Sequence, residues 1–376
     1  MRFGSTGRST AIILLLLLIS SLLHTRWCGT PFNLSDETWQ TIVDFHSDNY
    51  PYNIRLLTTP TVNAIHALTG FSLKMSFGLL QLTLALLLGV AFNRLLRHLE
   101  LRSPWREIGL ASLLLAYPLF FAVSEPMHTW DDIWGYLFLT LCTSAVMRAK
   151  PYAAGLWFLA ACFAREQTLI YFPLYAAGLY VMTDHARRIR AIITTVLPLV
   201  IFGTFLALVW QEPESKRFQL LQFNFDGLLR TRDSLYSIFM AFGWLWIGWI
   251  LALRWRPDSS SANRYQHHRV LKIATIYAVP VTVLFAVGLT LVRETRILFP
   301  PALLVVPFVM SYAQERLEVL DYLSRKKRRL MMTTLVSLTL LGLGIWLGHL
   351  VFPRFEYRAC PDFRRLGRRD AACGQL

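Results

Sequence analysis

The chain has 376 residues, 55% of them hydrophobic and only 16% charged, with 12 Trp, 25 Phe and a mean hydropathy of +0.42. Soluble domains carry about a quarter charged residues, so this composition excludes an ordinary cytosolic globular protein. A formal charge of +15 would suggest nucleic acid in a soluble chain, but here its meaning depends on where along the chain it falls.

Apolar runs of about 17–25 residues read as membrane-spanning helices. Eleven such runs, some of them short, lie near 9–24, 71–93, 107–124, 131–147, 151–164, 167–183, 191–210, 234–253, 272–292, 297–313 and 330–351. The expectation is an all-α integral membrane protein: one polytopic domain over 1–376, a bundle of about 11 transmembrane helices within a range of 9–12. The first run follows Arg2 and Arg8, as a signal peptide would. His24-Thr25-Arg26-Trp27 lacks a small-residue cleavage site, which favours an uncleaved anchor.

Orientation follows from the basic residues. With the N-terminus cytoplasmic, the inner segments hold 22 of the 38 Lys and Arg but only 7 of the 23 acids. They include Arg94 to Arg106, Arg148 and Lys150, Arg187 to Arg190, and the cluster Arg325 to Arg329. The whole excess of positive charge then sits on the inner face, so it reports topology and gives no support to nucleic-acid binding. The basic C-terminal tail, 352–376, falls on the outer side and runs against this bias; one helix more or fewer would make it cytoplasmic. Its Cys360 and Cys373 could pair there in an oxidising compartment, while Cys142 and Cys162 fall within spans.

The same topology gathers acids and arginines on the outer face. The first outer loop, 25–70, carries Asp36-Glu37-Thr38-Trp39, then Asp44, His46, Asp48 and Arg55. The second runs through Glu125-Pro126-Met127-His128-Thr129-Trp130-Asp131-Asp132, and a further outer connection covers 211–233. Two tight turns, Arg165-Glu166 and Arg293-Glu294-Thr295-Arg296, hold charges close to membrane depth. There an ion is costly unless paired. Arginines in such turns could hold a phosphate through two parallel hydrogen bonds. The loop acids could act as a general base or hold a divalent cation such as Mg or Mn, with Glu125 the metal candidate. The spans themselves contain almost no ionisable residues, which weighs against a proton-coupled pump or ion channel.

Plainer roles compete for each residue. An Arg-Glu pair at a helix end anchors or pairs structurally. Asp131 and Asp132 begin a helix, where acids suit the positive dipole end. Trp27, Trp39 and Trp130 resemble an interfacial aromatic belt, and His46, His66 and His128 follow no metal-ligand spacing.

A first helix followed by an outer Asp36-Glu37-Thr38-Trp39 resembles the C-type glycosyltransferases, polytopic enzymes that use polyprenyl-phosphate sugars. The stretch Tyr52-Asn53-Ile54-Arg55-Leu56-Leu57 with Pro60 is similar to their bacterial relatives of uncharacterised function. So are the path from Glu125 and Asp131-Asp132 to Ala164-Arg165-Glu166 and the segment Glu294-Thr295-Arg296-Ile297-Leu298-Phe299-Pro300. The resemblance covers roughly residues 10–315. It implies Asp36 as the base that activates the acceptor, with Glu37 beside it, although Asp44 or Asp48 could take that place. It implies Arg55, Arg165, Arg293 and Arg296 as clamps on the lipid phosphate, supported by Glu125, Asp131, Asp132, Glu166 and Glu294. The implied partners are membrane lipids and a polyprenyl-phosphate sugar donor, and the implied place is a bacterial inner membrane with the active face outward. The shortness of the second loop, and the lack of a soluble domain after the last span, depart from the family. A non-catalytic component that binds or transports a polysaccharide or lipid-linked intermediate is the alternative expectation. A third is a purely structural membrane protein.

Overall fold

A computed structural model describes residues 11–18, 35–48, 52–116, 119, 130–183, 188–209, 234–235, 237–239, 241–255, 262–289 and 295–320. Among these residues the protein is helical throughout, joined by turns, with no strand. The runs at 19–24 and 330–351, Glu125, Arg293, Glu294, the connection 211–233 and the tail 352–376 lie outside the described residues.

In chain order, after a helical stretch at 11–18, the helices are α1 (Asp36–Asp48), α2 (Thr58–Thr69), α3 (Leu73–His98), α4 (Trp105–Leu114) and α5 (Asp132–Met147). They continue with α6 (Pro151–Ala164), α7 (Phe172–Met182), α8 (Arg188–Val209), α9 (Leu245–Leu253), α10 (Ala262–Leu289) and α11 (Ala302–Leu320). Short 3-10 turns at Tyr52–Ile54, Glu166–Tyr171 and Thr295–Leu298 precede α2, α7 and α11. The stretch 25–70, expected as an extended outer loop, therefore contains two helices. The first of them is amphipathic, with Trp39, Ile42, Val43 and His46 buried at helical spacing. Its start is set locally: the Ser35 Oγ accepts from the Thr38 N–H at 3.2 Å, capping the helix while Asp36 and Glu37 occupy the first turn.

Among the described residues, three helices are long and apolar enough to cross a membrane: Leu73–His98, Arg188–Val209 and Tyr265–Gly288. At 1.5 Å per residue, the 26 residues of α3 extend about 39 Å, more than the roughly 30 Å hydrocarbon core. The apolar helices α5 and α6 are shorter, at 16 and 14 residues.

The polarity of α8 shows what surrounds this bundle. Its buried positions are Ala191, Thr194, Thr195, Pro198 and Phe202, one stripe at helical spacing. The aliphatic residues point outward: Ile189, Ile192, Ile193, Val196, Leu197 and Val200 are all exposed. A helix that buries small and hydroxyl residues and exposes branched aliphatic ones is built for a lipid exterior. The Thr194 and Thr195 hydroxyls bond back to the backbone at Arg190 and Ala191, so the inward stripe carries no loose donor there. By contrast, residues 301–310 of the α11 segment are all buried. That segment is the centre of the bundle, with α4, α5, α9 and α10 against it.

Pro198 lacks an N–H, which orphans the Thr194 carbonyl one turn earlier. The Tyr175 hydroxyl of α7 donates to that carbonyl at 2.7 Å, and its ring stacks on Phe158 of α6 at 4.7 Å. Gly155 of α6 makes the approach possible, because a β-carbon there would lie 2.8 Å from the Thr194 carbonyl oxygen. One proline, one tyrosine and one glycine on three helices thus fix the α6–α7–α8 crossing. We predict that Tyr175→Phe costs about 1 kcal/mol, the size of a hydrogen bond between membrane helices. Gly155→Val should cost clearly more, because the helices must separate. Equilibrium unfolding in mixed detergent micelles measures both, and equal losses would contradict this account of the crossing.

Candidate functional site

Five of the charged residues singled out in the sequence, Arg55, Asp131, Asp132, Arg165 and Glu166, meet where helices end or begin. Arg55 follows the Tyr52–Ile54 turn and donates to Glu166 through both arms of its fork, Nε to Oε2 at 3.1 Å and Nη2 to Oε1 at 2.9 Å. Arg165, in extended backbone directly after α6, pairs with Asp132 in the first turn of α5. Arg55, Arg165 and Asp132 are all buried. Gly135 lies under the aliphatic stem of Arg165, where a β-carbon would stand in ordinary contact at 3.7 Å.

Asp131 completes the cluster. It stands at the N-cap position of α5, yet makes no side-chain cap there. Its Oδ1 instead accepts from the backbone N–H of Thr58 at 3.1 Å and from the Thr58 hydroxyl at 2.5 Å. That N–H opens α2, whose N-cap residue Leu57 has no side chain able to cap it. Asp131 therefore caps a different helix from its own, with its charge at that helix's positive end. Its Oδ2 has no hydrogen-bond partner among the described residues.

The knot extends through Trp130. The indole Nε1 donates to the Thr59 hydroxyl at 2.9 Å, and its carbonyl accepts from the Thr58 hydroxyl at 2.8 Å and Gln81 Nε2 at 3.3 Å. The ring is sandwiched between His46 at 4.6 Å and Phe77 at 4.8 Å, both close to parallel. Trp130 and Trp39, which resemble an aromatic belt in the sequence, are thus buried packing residues at 1% and 0% exposure. Thr58, Gln81 and His46 carry this arrangement without having been singled out for it in the sequence. The Thr-Thr-Pro at 58–60 is a recognisable helix start, because proline in a first turn forfeits no helical bond.

Asp36 and Glu37 lie elsewhere on the surface. The Asp36 carboxylate is exposed and faces Lys74 Nζ at 3.2 Å. The backbone of Arg296 belongs to the Thr295–Leu298 turn, and its side chain lies outside the described residues. Its neighbour Ile297 lines, with Arg165, Gln167 and Thr168, a cavity of about 20 Å³. An apolar cavity of about 60 Å³ adjoins it, sharing Leu139, Tyr171 and Pro300 and reaching Cys142 and Phe158 between the helices. No group of three or more His, Cys, Asp or Glu able to hold a metal occurs among the described residues.

The electrostatics follow from the pairing. Burial alone would raise the Glu166 carboxyl, but the charge and hydrogen bonds of Arg55, then the charge of Arg165, outweigh it. The group is held at about 2 against an ordinary 4.5. Two guanidinium groups meet three acids here, and the Arg55 fork uses two parallel donors, a geometry that suits carboxylate and phosphate alike. No protein-family model, curated protein or solved structure matches the chain.

Two outcomes follow for the knot. Thr58→Val keeps the volume but removes the hydroxyl from Asp131 and Trp130, and should cost about 1–3 kcal/mol in detergent unfolding; an unchanged midpoint would contradict the role given to Thr58. Because the Glu166 pKa is depressed on folding, the unfolded chain takes up a proton there first as pH falls. The stability it contributes is complete above 4.5 and disappears toward 2. Glu166→Gln should flatten the acid limb of stability in that window, and an unaltered limb would contradict the pairing.

Proposed function

We propose that the protein is a membrane glycosyltransferase-like enzyme. In this reading it moves a sugar from a polyprenyl-phosphate donor to a lipid or cell-surface glycan acceptor at the outer face of a bacterial inner membrane. About eleven helices span that membrane with the N-terminus cytoplasmic, as the apolar runs and the distribution of basic residues suggest. The observation that carries the reading is the buried Arg55–Glu166 and Arg165–Asp132 cluster, at the end of a bundle whose outward residues are aliphatic. A polar headgroup on an apolar tail is the ligand chemistry that such a boundary suits.

The chemistry divides among the residues. Asp36, in the exposed first turn of α1 with Glu37 beside it, takes the proton of the acceptor hydroxyl. The acceptor oxygen bonds to the anomeric carbon as the bond from that carbon to the phosphate oxygen breaks. The departing polyprenyl phosphate carries the electron pair, and Arg55 and Arg165, with Arg293 and Arg296 from the later turn, stabilise its charge. Glu125 is the remaining candidate for a divalent cation.

A second reading is a non-catalytic component that binds or transports a polysaccharide or lipid-linked intermediate. The surface pairing of Asp36 with Lys74 favours it, because it gives Asp36 a structural partner. Profiling lipid-linked and cell-surface glycans of a deletion strain separates the two. Loss of one sugar, restored by wild type but not by Asp36→Asn, is the expected result, with transfer falling at least about 100-fold as for loss of a general base. Full rescue by Asp36→Asn would remove Asp36 as the base and favour the binding reading.

A further inference from the structure

We infer that Glu166 is a competitive latch on the anion seat of Arg55: its carboxylate fills the guanidinium fork in the free protein and is displaced by an incoming phosphate headgroup. This inference rests on the phosphate-site reading above and assigns that site a resting occupant. Both carboxylate oxygens are used, at 2.9 and 3.1 Å, so the carboxylate presents to the fork the same two-oxygen face that a phosphate would. Exposure distinguishes the two partners. The Arg55 side chain is 5% exposed and the Glu166 side chain 24%, so the acid covers the guanidinium and has an accessible edge along which to leave.

The backbone carries the same arrangement. Glu166 opens the 3-10 turn Glu166–Tyr171, and the next residues, Gln167, Thr168, Ile170 and Tyr171, line the cavity that Arg165 borders. Its chain neighbour Arg165, whose charge also acts on Glu166, has a partner of its own in Asp132 and keeps it when the Glu166 side chain moves. The exchange breaks no covalent bond; one anion replaces another on the same donors. Its consequence is specificity. A neutral headgroup offers nothing to displace the carboxylate, whereas a phosphate, carrying at least equal charge and more acceptor oxygens, competes for the seat. The affinity measured in the wild type is lowered by the fraction of molecules in which the latch is closed.

The test uses the full chain in detergent micelles with farnesyl phosphate as probe, farnesol as its neutral counterpart and inorganic phosphate as the free anion. Glu166→Gln should bind farnesyl phosphate about tenfold more tightly than the wild type, and farnesol binding should not change. Tightening for farnesyl phosphate alone assigns the seat to a lipid headgroup. Equal tightening for inorganic phosphate assigns it to phosphate in general, and either result supports the latch. Equal or weaker farnesyl phosphate binding by the variant overturns the latch while leaving the site reading intact. No binding by either protein removes both.

Carbodiimide modification of the wild type provides an arm that does not depend on the variant folding. Saturating farnesyl phosphate should raise labelling of Glu166 as its carboxylate leaves the fork. Unchanged or reduced labelling at saturation would overturn displacement.

Discussion

The structure turns on the requirement that ions close to a membrane interior be paired. Arg55 and Arg165 are buried with their guanidinium groups on Glu166 and Asp132, and the partners come from three separate connections between helices. Removing either member would strand a buried charge, a loss of several kcal/mol in comparable sites. In the ligand-free protein the pairs act as joints. They hold the segment before α2 against the turn after α6, and that turn against the start of α5. Asp131 adds the third joint by capping α2 from across the bundle. The joints make the site, and the site in turn ties the helix ends together.

Away from this end, the protein is organised by a contrast between its centre and its rim. Residues 301–310 are buried throughout, and α8 exposes its aliphatic residues while burying threonines and a proline. In water such an arrangement would leave a wide apolar surface uncovered; in lipid it has no such cost. What then holds α8 in place is close contact and satisfied polar groups. The Tyr175 bond to the carbonyl orphaned by Pro198, against the backbone of Gly155, is an instance of both.

Much of this was legible in the amino-acid order because it depends on local chemistry. The apolar run at 151–164 coincides with helix Pro151–Ala164, whose leading proline marks a helix start. Arg55, Asp131, Asp132, Arg165 and Glu166 stand out as charges bordering apolar runs, and they do come together. Which arginine takes which acid is not a local property. Arg55 and Glu166 are 111 residues apart, and no spacing rule relates residues on different connections. The burial of Trp130 was hidden for a similar reason: a tryptophan beside an apolar run reads as an interfacial anchor until the elements on its two faces, here His46 and Phe77, are known. Helix α1 lies within a polar stretch that reads as a loop, although Trp39, Ile42, Val43 and His46 repeat at three- and four-residue intervals there. Asp36 remains the candidate that resemblance nominates and that geometry sets on the exposed surface, apart from the buried pairs.

In the function proposed above, a lipid phosphate reaches the charged knot at Arg55 and Arg165. Photo-crosslinking with a diazirine-bearing polyprenyl phosphate in native membranes, followed by mapping of the labelled peptides, tests it most directly. The account predicts labelling concentrated on 165–171 and 297–300, the segments that border the cavity next to Arg165, and its suppression by unlabelled polyprenyl phosphate. Labelling spread along the lipid-facing side of α8, at Ile192, Leu197 and Val200, with no suppression by competitor, would contradict it.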